Sequence, residues 1–123
     1  MNHHCAVVWI RVGTLVLAVT TGGAVVVHAQ SLASSALPTG ARVSAGRASV
    51  STTGANMVIN QSTQRAAIDW QSFNVGSGAT VQFNQPNAQA ATLNRVTGGE
   101  ASTVLGRISA PGQVIISNGN GVL

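Results

Sequence analysis

The segment Asn60–Val96, NQSTQRAAIDWQSFNVGSGATVQFNQPNAQAATLNRV, decides the fold class of this 123-residue chain. Within it, Val81 and Phe83 alternate with polar residues, and Ile68 stands in the same relation to Trp70. This two-residue period is typical of strands that bury one face. Gly, Asn and Pro interrupt the apolar residues at short intervals, as they do between short strands. The segment therefore predicts an all-β protein.

Further strands are predicted on both sides of this segment, with no helical period anywhere after residue 30. The full set is Arg42–Ser51 (one or two strands), Met57–Asn60, Ala66–Trp70, Thr80–Asn84, Thr92–Val96, Thr103–Ile108 and Gln113–Ser117. Phe73 and Val75 are odd-numbered whereas Trp70 is even-numbered, so in one continuous strand they would point to the opposite face from Trp70. We therefore expect a corner or bulge near Gln71-Ser72.

A weak repeat indicates how these strands are arranged. Val58-Ile59, Val81 and Leu105 recur at intervals of roughly 22–24 residues, within the range of stacked repeats. A parallel β-helix explains such a repeat. An antiparallel sandwich also uses short strands, and the repeat alone does not decide between the two. A disordered Gln/Asn-rich tract is disfavoured, because such tracts lack regular Val, Ile, Phe and Trp positions.

Residues 1–29 are predicted to be a signal peptide. Arg11 precedes the apolar run Val12–Val27, and Val27-His28-Ala29 places small residues at a cleavage site before Gln30. A transmembrane anchor is the rival interpretation, but a spanning helix needs about 20 predominantly apolar residues. We therefore expect cleavage between Ala29 and Gln30, and export to the periplasm.

Residues 30–123 lack the side chains that most catalytic sites need. They contain five Arg and two acids, a net charge of +3, and no His, Cys, Lys or Tyr. Serine–histidine and cysteine–histidine catalysis are thereby excluded, as are zinc and copper sites built on imidazole or thiolate. Asp69 and Glu100 stand 31 positions apart, and nothing else supports a two-carboxylate glycosidase. We predict a protein that is not an enzyme and binds no cofactor.

The positive charge does not indicate a nucleic-acid partner. The five arginines are widely spaced, and only Trp70, Phe73 and Phe83 are available to stack on bases. A nucleic-acid site should instead show a clustered basic stripe.

Several segments of residues 37–123 resemble a known family, in order and with few gaps. They are Leu37–Gly40, Gln64–Val75, Val81–Asn87, Thr92–Gly98 and Leu105–Ile108. These segments are similar to the start of filamentous-haemagglutinin-type secretion domains, which begin the large exoproteins of two-partner secretion. The similarity looks closest to the high-molecular-weight adhesin branch. The family's Asn-Pro-Asn-Gly signature falls on Asn118–Gly121, where Gly119 replaces the proline.

The resemblance implies a right-handed parallel β-helix with an N-terminal cap, incomplete at its C-terminus. Residues 30–123 would form the N-terminal part of the secretion domain. The implied function is to target a large exported adhesin to an outer-membrane β-barrel transporter with periplasmic polypeptide-binding domains. Alternatives are the transport domain of a contact-dependent toxin-delivery exoprotein and the start of a polysaccharide-active β-helix enzyme.

The resemblance also implies partners, a location and candidate residues. The partners are the transporter, the general secretion machinery and, through regions beyond this segment, host-cell glycans. The location is the medium or cell surface of a Gram-negative bacterium. Candidate recognition or turn residues are Arg65, Asn84, Asn94, Arg95, Asn118, Asn120 and Gly121. For any single one of these arginines and asparagines, we favour the interpretation that it is a polar residue stabilising a corner.

Overall fold

The computed structural model describes residues 5–7 and 32–123, and it shows an all-β protein with mixed sheets. The strands are β1 Cys5–Val7, β2 Arg42–Ala45, β3 Ala48–Thr53, β4 Asn56–Gln61, β5 Arg65–Trp70, β6 Thr80–Asn84, β7 Ala91–Val96, β8 Arg107–Ser109 and β9 Gln113–Asn118. Apart from β1, the predicted signal peptide lies outside the described residues. Within the described ranges, no helix is long and apolar enough to cross a membrane.

The strands form two sheets, which the chain visits alternately from β4 onward. One sheet has the order β1-β9-β7-β5-β2 and the other has the order β3-β4-β6-β8. The series β4-β6-β8 and β5-β7-β9 pair in parallel, whereas β1, β2 and β3 pair antiparallel with their neighbours. From β6 onward, each passage of the chain from one sheet to the other therefore sets a new strand parallel to an earlier one.

The register of these parallel pairs corrects the repeat that the sequence predicted. Met57 lies opposite Val81, and Val81 lies opposite Ile108. The offset between β4 and β6 lies within the predicted interval, but Val58 lies opposite Gln82, and Ile108 takes the place expected for Leu105. In a sheet with one buried face, a shift of one residue exchanges the two faces, so burial selects the observed register.

The predicted strand Thr103–Ile108 is divided in the structure. Val104 forms an isolated parallel bridge to Val75, and β8 begins only at Arg107. Gly106 makes the corner between them, where a Cβ atom would lie 2.2 Å from the carbonyl oxygen of Gly76. The prediction of one continuous strand was therefore wrong, since the backbone approaches Gly76 closely at Gly106, where the chain turns.

The core lies between the two sheets and the segments that connect them. Its largest fully buried side chains are Trp70, Phe73, Phe83, Ile59, Ile68 and Ile116. Trp70 and Phe73 meet edge to face, with ring centroids 5.5 Å apart and an interplanar angle of 83°, a favoured aromatic geometry. Both rings are buried although their parities differ, which confirms the corner predicted near Gln71-Ser72.

The segment before β2 covers one end of this core. Leu37 packs against the core cluster and Pro38 is buried. Thr39 pairs with Ser72, donating its N–H to the Ser72 carbonyl at 3.0 Å. The N–H of Gly76 donates to the Ala36 carbonyl at 2.9 Å. Main-chain pairing and apolar contacts together therefore close the core at the N-terminal end of the described domain.

Candidate functional site

The structure distributes the seven predicted site residues over three places and does not gather them into one pocket. Asn94 lies in the interior, and Arg65, Asn84 and Arg95 lie on outer faces of the sheets. Asn118, Asn120 and Gly121 belong to the turn that follows β9.

Asn94 is an interior residue with no exposed surface. Its Oδ1 accepts a hydrogen bond from Trp70 Nε1 at 2.9 Å, and its Nδ2 donates to the Ile115 carbonyl at 3.3 Å. This amide gives the buried indole N–H the acceptor that it would otherwise lose on leaving water. In the folded domain, Asn94 therefore acts within the core and is out of reach of an external partner.

The turn after β9 is held by side-chain as well as main-chain hydrogen bonds. The Gly121 N–H donates to the Asn118 carbonyl at 3.1 Å, and the Asn120 N–H donates to Asn118 Oδ1 at 2.8 Å. Asn118 is 1% exposed, and its Nδ2 also donates to the Ser102 hydroxyl oxygen at 3.0 Å. Asn120 Nδ2 reaches the Gly98 carbonyl at 3.0 Å. These residues therefore connect the turn after β9 to the segment that follows β7.

Arg95 forms a two-point ion pair with Asp69 on the outer face of the β2-β5-β7-β9 region. Nε and Nη2 of Arg95 donate to the two carboxylate oxygens at 2.9 and 3.0 Å. These hydrogen bonds lower the pKa of Asp69 below its usual value; the charges of Arg95 and Arg42 act in the same direction, and partial burial opposes them. The Asp69 carboxylate is therefore engaged in a structural contact with Arg95.

Asn84 and Arg65 are exposed on different sheets. Asn84 Nδ2 donates to Asn60 Oδ1 at 2.9 Å across the parallel pair β4-β6, and Asn84 Oδ1 accepts from Gln82 Nε2 at 2.8 Å. Arg65 begins β5 and lies opposite Ala91. Asn84 therefore links two neighbouring strands, and Arg65 presents a cation on the surface.

A second interior polar cluster escaped the sequence-based reasoning. The Thr92 hydroxyl donates to Gln61 Oε1, and Gln85 Nε2 donates to Thr92 Oγ1 at 2.8 Å. Gln85 also contacts the start of β9: its Nε2 donates to the Gln113 carbonyl at 2.9 Å, and its Oε1 accepts from the Gly112 N–H at 2.7 Å. The repeated dipeptides Asn60-Gln61 and Asn84-Gln85 are the signal that would have found this cluster.

The interior polar groups of the described residues are satisfied by hydrogen bonds within the fold. Among the side chains that the structure describes, every buried nitrogen or oxygen has a hydrogen-bond partner. Within residues 32–123, no group of three or more His, Cys, Asp or Glu side chains is placed to hold a metal ion. A shallow groove between Ser77–Thr80 and Leu105–Arg107 carries Arg107 as its single ionisable side chain. Such a groove has no acid–base pair for hydrolysis.

Comparison with known proteins gives consistent matches over this region. Residues 29–123 match the family described as the TPS secretion domain. A heme/hemopexin-binding protein of Haemophilus influenzae strain Rd is 41% identical over 114 residues, which are 93% of this chain and 12% of that protein. A second heme/hemopexin-binding protein of Haemophilus influenzae is 46% identical over 72 residues, or 58% of this chain and 8% of that protein.

A solved structure is similar as well. The crystal structure of the HMW1 secretion domain from Haemophilus influenzae superimposes with a TM-score of 0.61 at 34% identity, covering 64% of this chain and 21% of that chain. The chain thus spans about an eighth of the length of the first curated relative, at its 12% coverage. Because the family match covers most of the chain, this protein belongs to the TPS secretion domain family, the secretion domains of two-partner secretion exoproteins.

Proposed function

We propose that residues 30–123 target a large exoprotein to a partner transporter in the outer membrane. The observation that carries this proposal is the family match over residues 29–123, supported by the similarity to the HMW1 secretion domain. The destination is the medium or the cell surface of a Gram-negative bacterium, reached through the periplasm after cleavage between Ala29 and Gln30. The general secretion machinery delivers the chain to the periplasm.

The described strands act as the first rungs of a right-handed parallel β-helix, with Leu32–Thr39 as its N-terminal cap. The parallel series β4-β6-β8 and β5-β7-β9 support this arrangement, since each strand stacks on the one before it. The parallel bridges Val75–Val104 and Ser102–Val122 provide a third side. In a solenoid, each repeat gains its stability from its neighbours, so folding proceeds by addition.

This architecture suits transport followed by folding outside the cell. Residues 30–123 contain no Cys, so no disulfide forms within this segment before it passes the outer membrane. The transporter's periplasmic domains bind the chain by strand addition, in which main-chain hydrogen bonds supply the affinity. Each rung that forms outside stabilises the next, which biases movement outward.

The cargo is proposed to be an adhesin-like or a heme- or hemopexin-binding exoprotein. The adhesin assignment rests on the family resemblance, with host-cell glycans as the ligand class. The heme-related assignment rests on the 41% identity to a heme/hemopexin-binding protein. Residues 30–123 themselves lack His, Cys and Tyr, and Met57 is only 5% exposed, so this domain offers no ordinary ligand for heme iron. The domain therefore acts in export under either assignment.

An export assay tests the targeting function. Cells that produce the natural gene product are fractionated, and each fraction is blotted with antiserum raised against residues 30–123. We expect the antigen in the medium or at the surface, and its retention in the periplasm when the partner transporter gene is deleted. Unchanged export after deletion of every outer-membrane transporter of this class would refute the proposal.

A further inference from the structure

β3 and β2 are the edge strands on the N-terminal side of the two sheets, and β3 is the longer of the two. β3 (Ala48–Thr53) stands at the end of the order β3-β4-β6-β8, and all six of its residues pair in register with β4. No described strand pairs with its other side. β2, the corresponding edge of the second sheet, has four residues, an irregular register between Val43 and Ala45, and Arg42 on it. A bulge and a charge protect β2 from strand addition, whereas β3 has no such protection.

The hydrogen-bond parity shows which groups on β3 are available. The Ser62 N–H donates to the Arg47 carbonyl at 3.1 Å, so Arg47 and every second residue after it bond toward β4. The N–H and C=O groups of Ala48, Val50 and Thr52 then point away from β4. Three donors and three acceptors on alternate residues therefore lie along one line, which is the template for an added strand.

The same edge leaves apolar surface half covered. Ala48 and Val50 pack against the core cluster while remaining partly exposed. The intervening Ser49 and Ser51 are exposed on the outer face. An added strand with alternating apolar and polar residues would cover Ala48 and Val50 and present its polar residues outward.

Charge defines the chemistry of the added strand. Arg47, immediately before β3, is exposed, and within residues 32–123 the ion pair formed is that between Arg95 and Asp69. The only acids of residues 30–123 are Asp69 and Glu100, so the domain is a net cation. A carboxylate on the partner strand beside Arg47 would add attraction and fix the register of pairing.

The edge is available before the domain has folded as well as after. β3 and β4 form a hairpin with a two-residue turn, in which Gly54 takes a φ of +59° at the first central position, as a type II′ turn requires. Such a hairpin forms in about 1–10 μs but is marginal by itself. In the folded domain, β6 pairs with the far edge of β4. Of the two edges of the hairpin, only that of β3 is therefore open both before and after the domain folds.

We propose that the β3 edge is the docking strand for the partner transporter, and that it receives an extended strand of the transporter's periplasmic domains with a carboxylate placed beside Arg47. This inference rests on the proposed targeting function. It adds the location of the docking edge and the charge of the partner strand. The edge serves first on the unfolded chain, where a third strand stabilises the β3–β4 hairpin.

Binding of the chain to the purified periplasmic domains of the transporter identified by gene deletion tests this inference. Thr52→Pro removes an outward N–H while leaving the bonds to β4 in place, and Thr52→Val is its matched control. Loss of one or two main-chain bonds should weaken binding about tenfold. Arg47→Glu should weaken binding most at low salt, with Arg107→Glu, at the opposite edge of the same sheet, as the matched charge control.

The outcomes separate the two levels of the proposal. Weaker binding by Thr52→Pro and Arg47→Glu, with both controls within about twofold of wild type, would support docking on the β3 edge. Wild-type affinity in Arg47→Glu and in folded Thr52→Pro would overturn it, while the targeting function would stand. If the unmodified chain does not bind the periplasmic domains at all, the targeting function itself fails. Circular dichroism establishes the folding of each variant, and Arg47→Glu carries the test if Thr52→Pro does not fold.

Discussion

The hydrogen bond between Trp70 and Asn94 should stabilise the fold by an amount that a substitution can measure. Trp70 is 1% exposed and Asn94 is 0% exposed, and Nε1 lies 2.9 Å from Oδ1. Asn94→Leu keeps a side chain of similar size but leaves the indole N–H without an acceptor. An orphaned buried donor costs about 1–3 kcal/mol. The Ile115 carbonyl also loses its 3.3 Å contact, although the new Leu side chain gains from apolar burial. We expect a net loss of about 1–3 kcal/mol.

A double-mutant cycle isolates the hydrogen bond from the other changes. Trp70→Phe removes the donor and also reduces packing, so its own effect on stability is mixed. In the Trp70→Phe background, Asn94→Leu no longer creates an orphaned indole N–H and should cost less. The coupling free energy should be about 1–2 kcal/mol, within the range of about 0.5–3 kcal/mol for residues in direct contact.

Urea unfolding of residues 30–123, followed by far-ultraviolet circular dichroism, measures each corner of the cycle. The denaturant slope must stay constant for the comparison to hold. Asn56→Leu is the matched control, since Asn56 is exposed on β4 and substitutions at such positions usually change stability by about 0.5 kcal/mol or less. A coupling energy near zero, with equal losses in both backgrounds, would refute the role assigned to the indole–amide bond.

Three further predictions concern the turn, the ion pair and the N-terminus. Gly119→Pro should raise the free energy of unfolding by about 0.4–1 kcal/mol and so raise the urea midpoint. Gly119 is the second residue of the turn closed by Asn118, its φ lies outside the left-handed region, and a Cβ there meets nothing within 4 Å. A lower midpoint would contradict this. The lowered pKa of Asp69 stabilises the fold above the pKa of an unfolded Asp, about 3.9, and this contribution is lost as pH falls through the folded value. Between pH 5 and pH 3, the urea midpoint of Asp69→Asn should therefore fall less than that of the wild type, and equal falls would exclude a role for Arg95. Mass spectrometry of the exported protein should find Gln30 at its N-terminus, and any other start would disprove the predicted cleavage site.

The strands with clear alternation were predictable from sequence because one physical cause dominates them. Val81 and Phe83 bury the same face of β6, and Ile68 and Trp70 bury the same face of β5, as expected. One-sided burial imposes a period of two whatever the neighbouring strand is. The strand boundaries at the glycine-rich turns were also predictable from local sequence, because Gly adopts backbone conformations that other residues avoid.

The interior amides were beyond prediction because their burial depends on a distant partner. In β7, hydropathy favours placing Leu93 inside, yet Leu93 is only partly buried while Thr92 and Asn94 are fully buried. The inward position of Asn94 is explained by the indole of Trp70, a donor 24 positions earlier in the chain. A pattern read along one strand contains no information about the strand that stacks beside it.

The same limit applies to the candidate site. Asn94 and Asn118 were selected as recognition or turn residues, and tertiary hydrogen bonds occupy the side chains of both inside the fold. The open edge of β3 was not singled out, because its significance lies in main-chain groups and in the pairing of the other strands. Side-chain chemistry is the part of a site that a sequence displays, and this surface depends on the backbone.

The buried amides also explain how a stack of similar strands selects a single register. Apolar contacts such as Met57 on Val81 are nearly interchangeable between the parallel strand pairs, so burial alone discriminates weakly against pairing a strand with the wrong member of its series. A shifted pairing would leave the Trp70 indole or the Gln85 amide without its partner, and an unsatisfied buried polar group costs about 1–3 kcal/mol. We therefore expect Asn94→Leu to impair the selection of register as well as stability. Hydrogen exchange on refolded protein would show this as heterogeneous protection in β7, and uniform protection would show that the apolar contacts suffice.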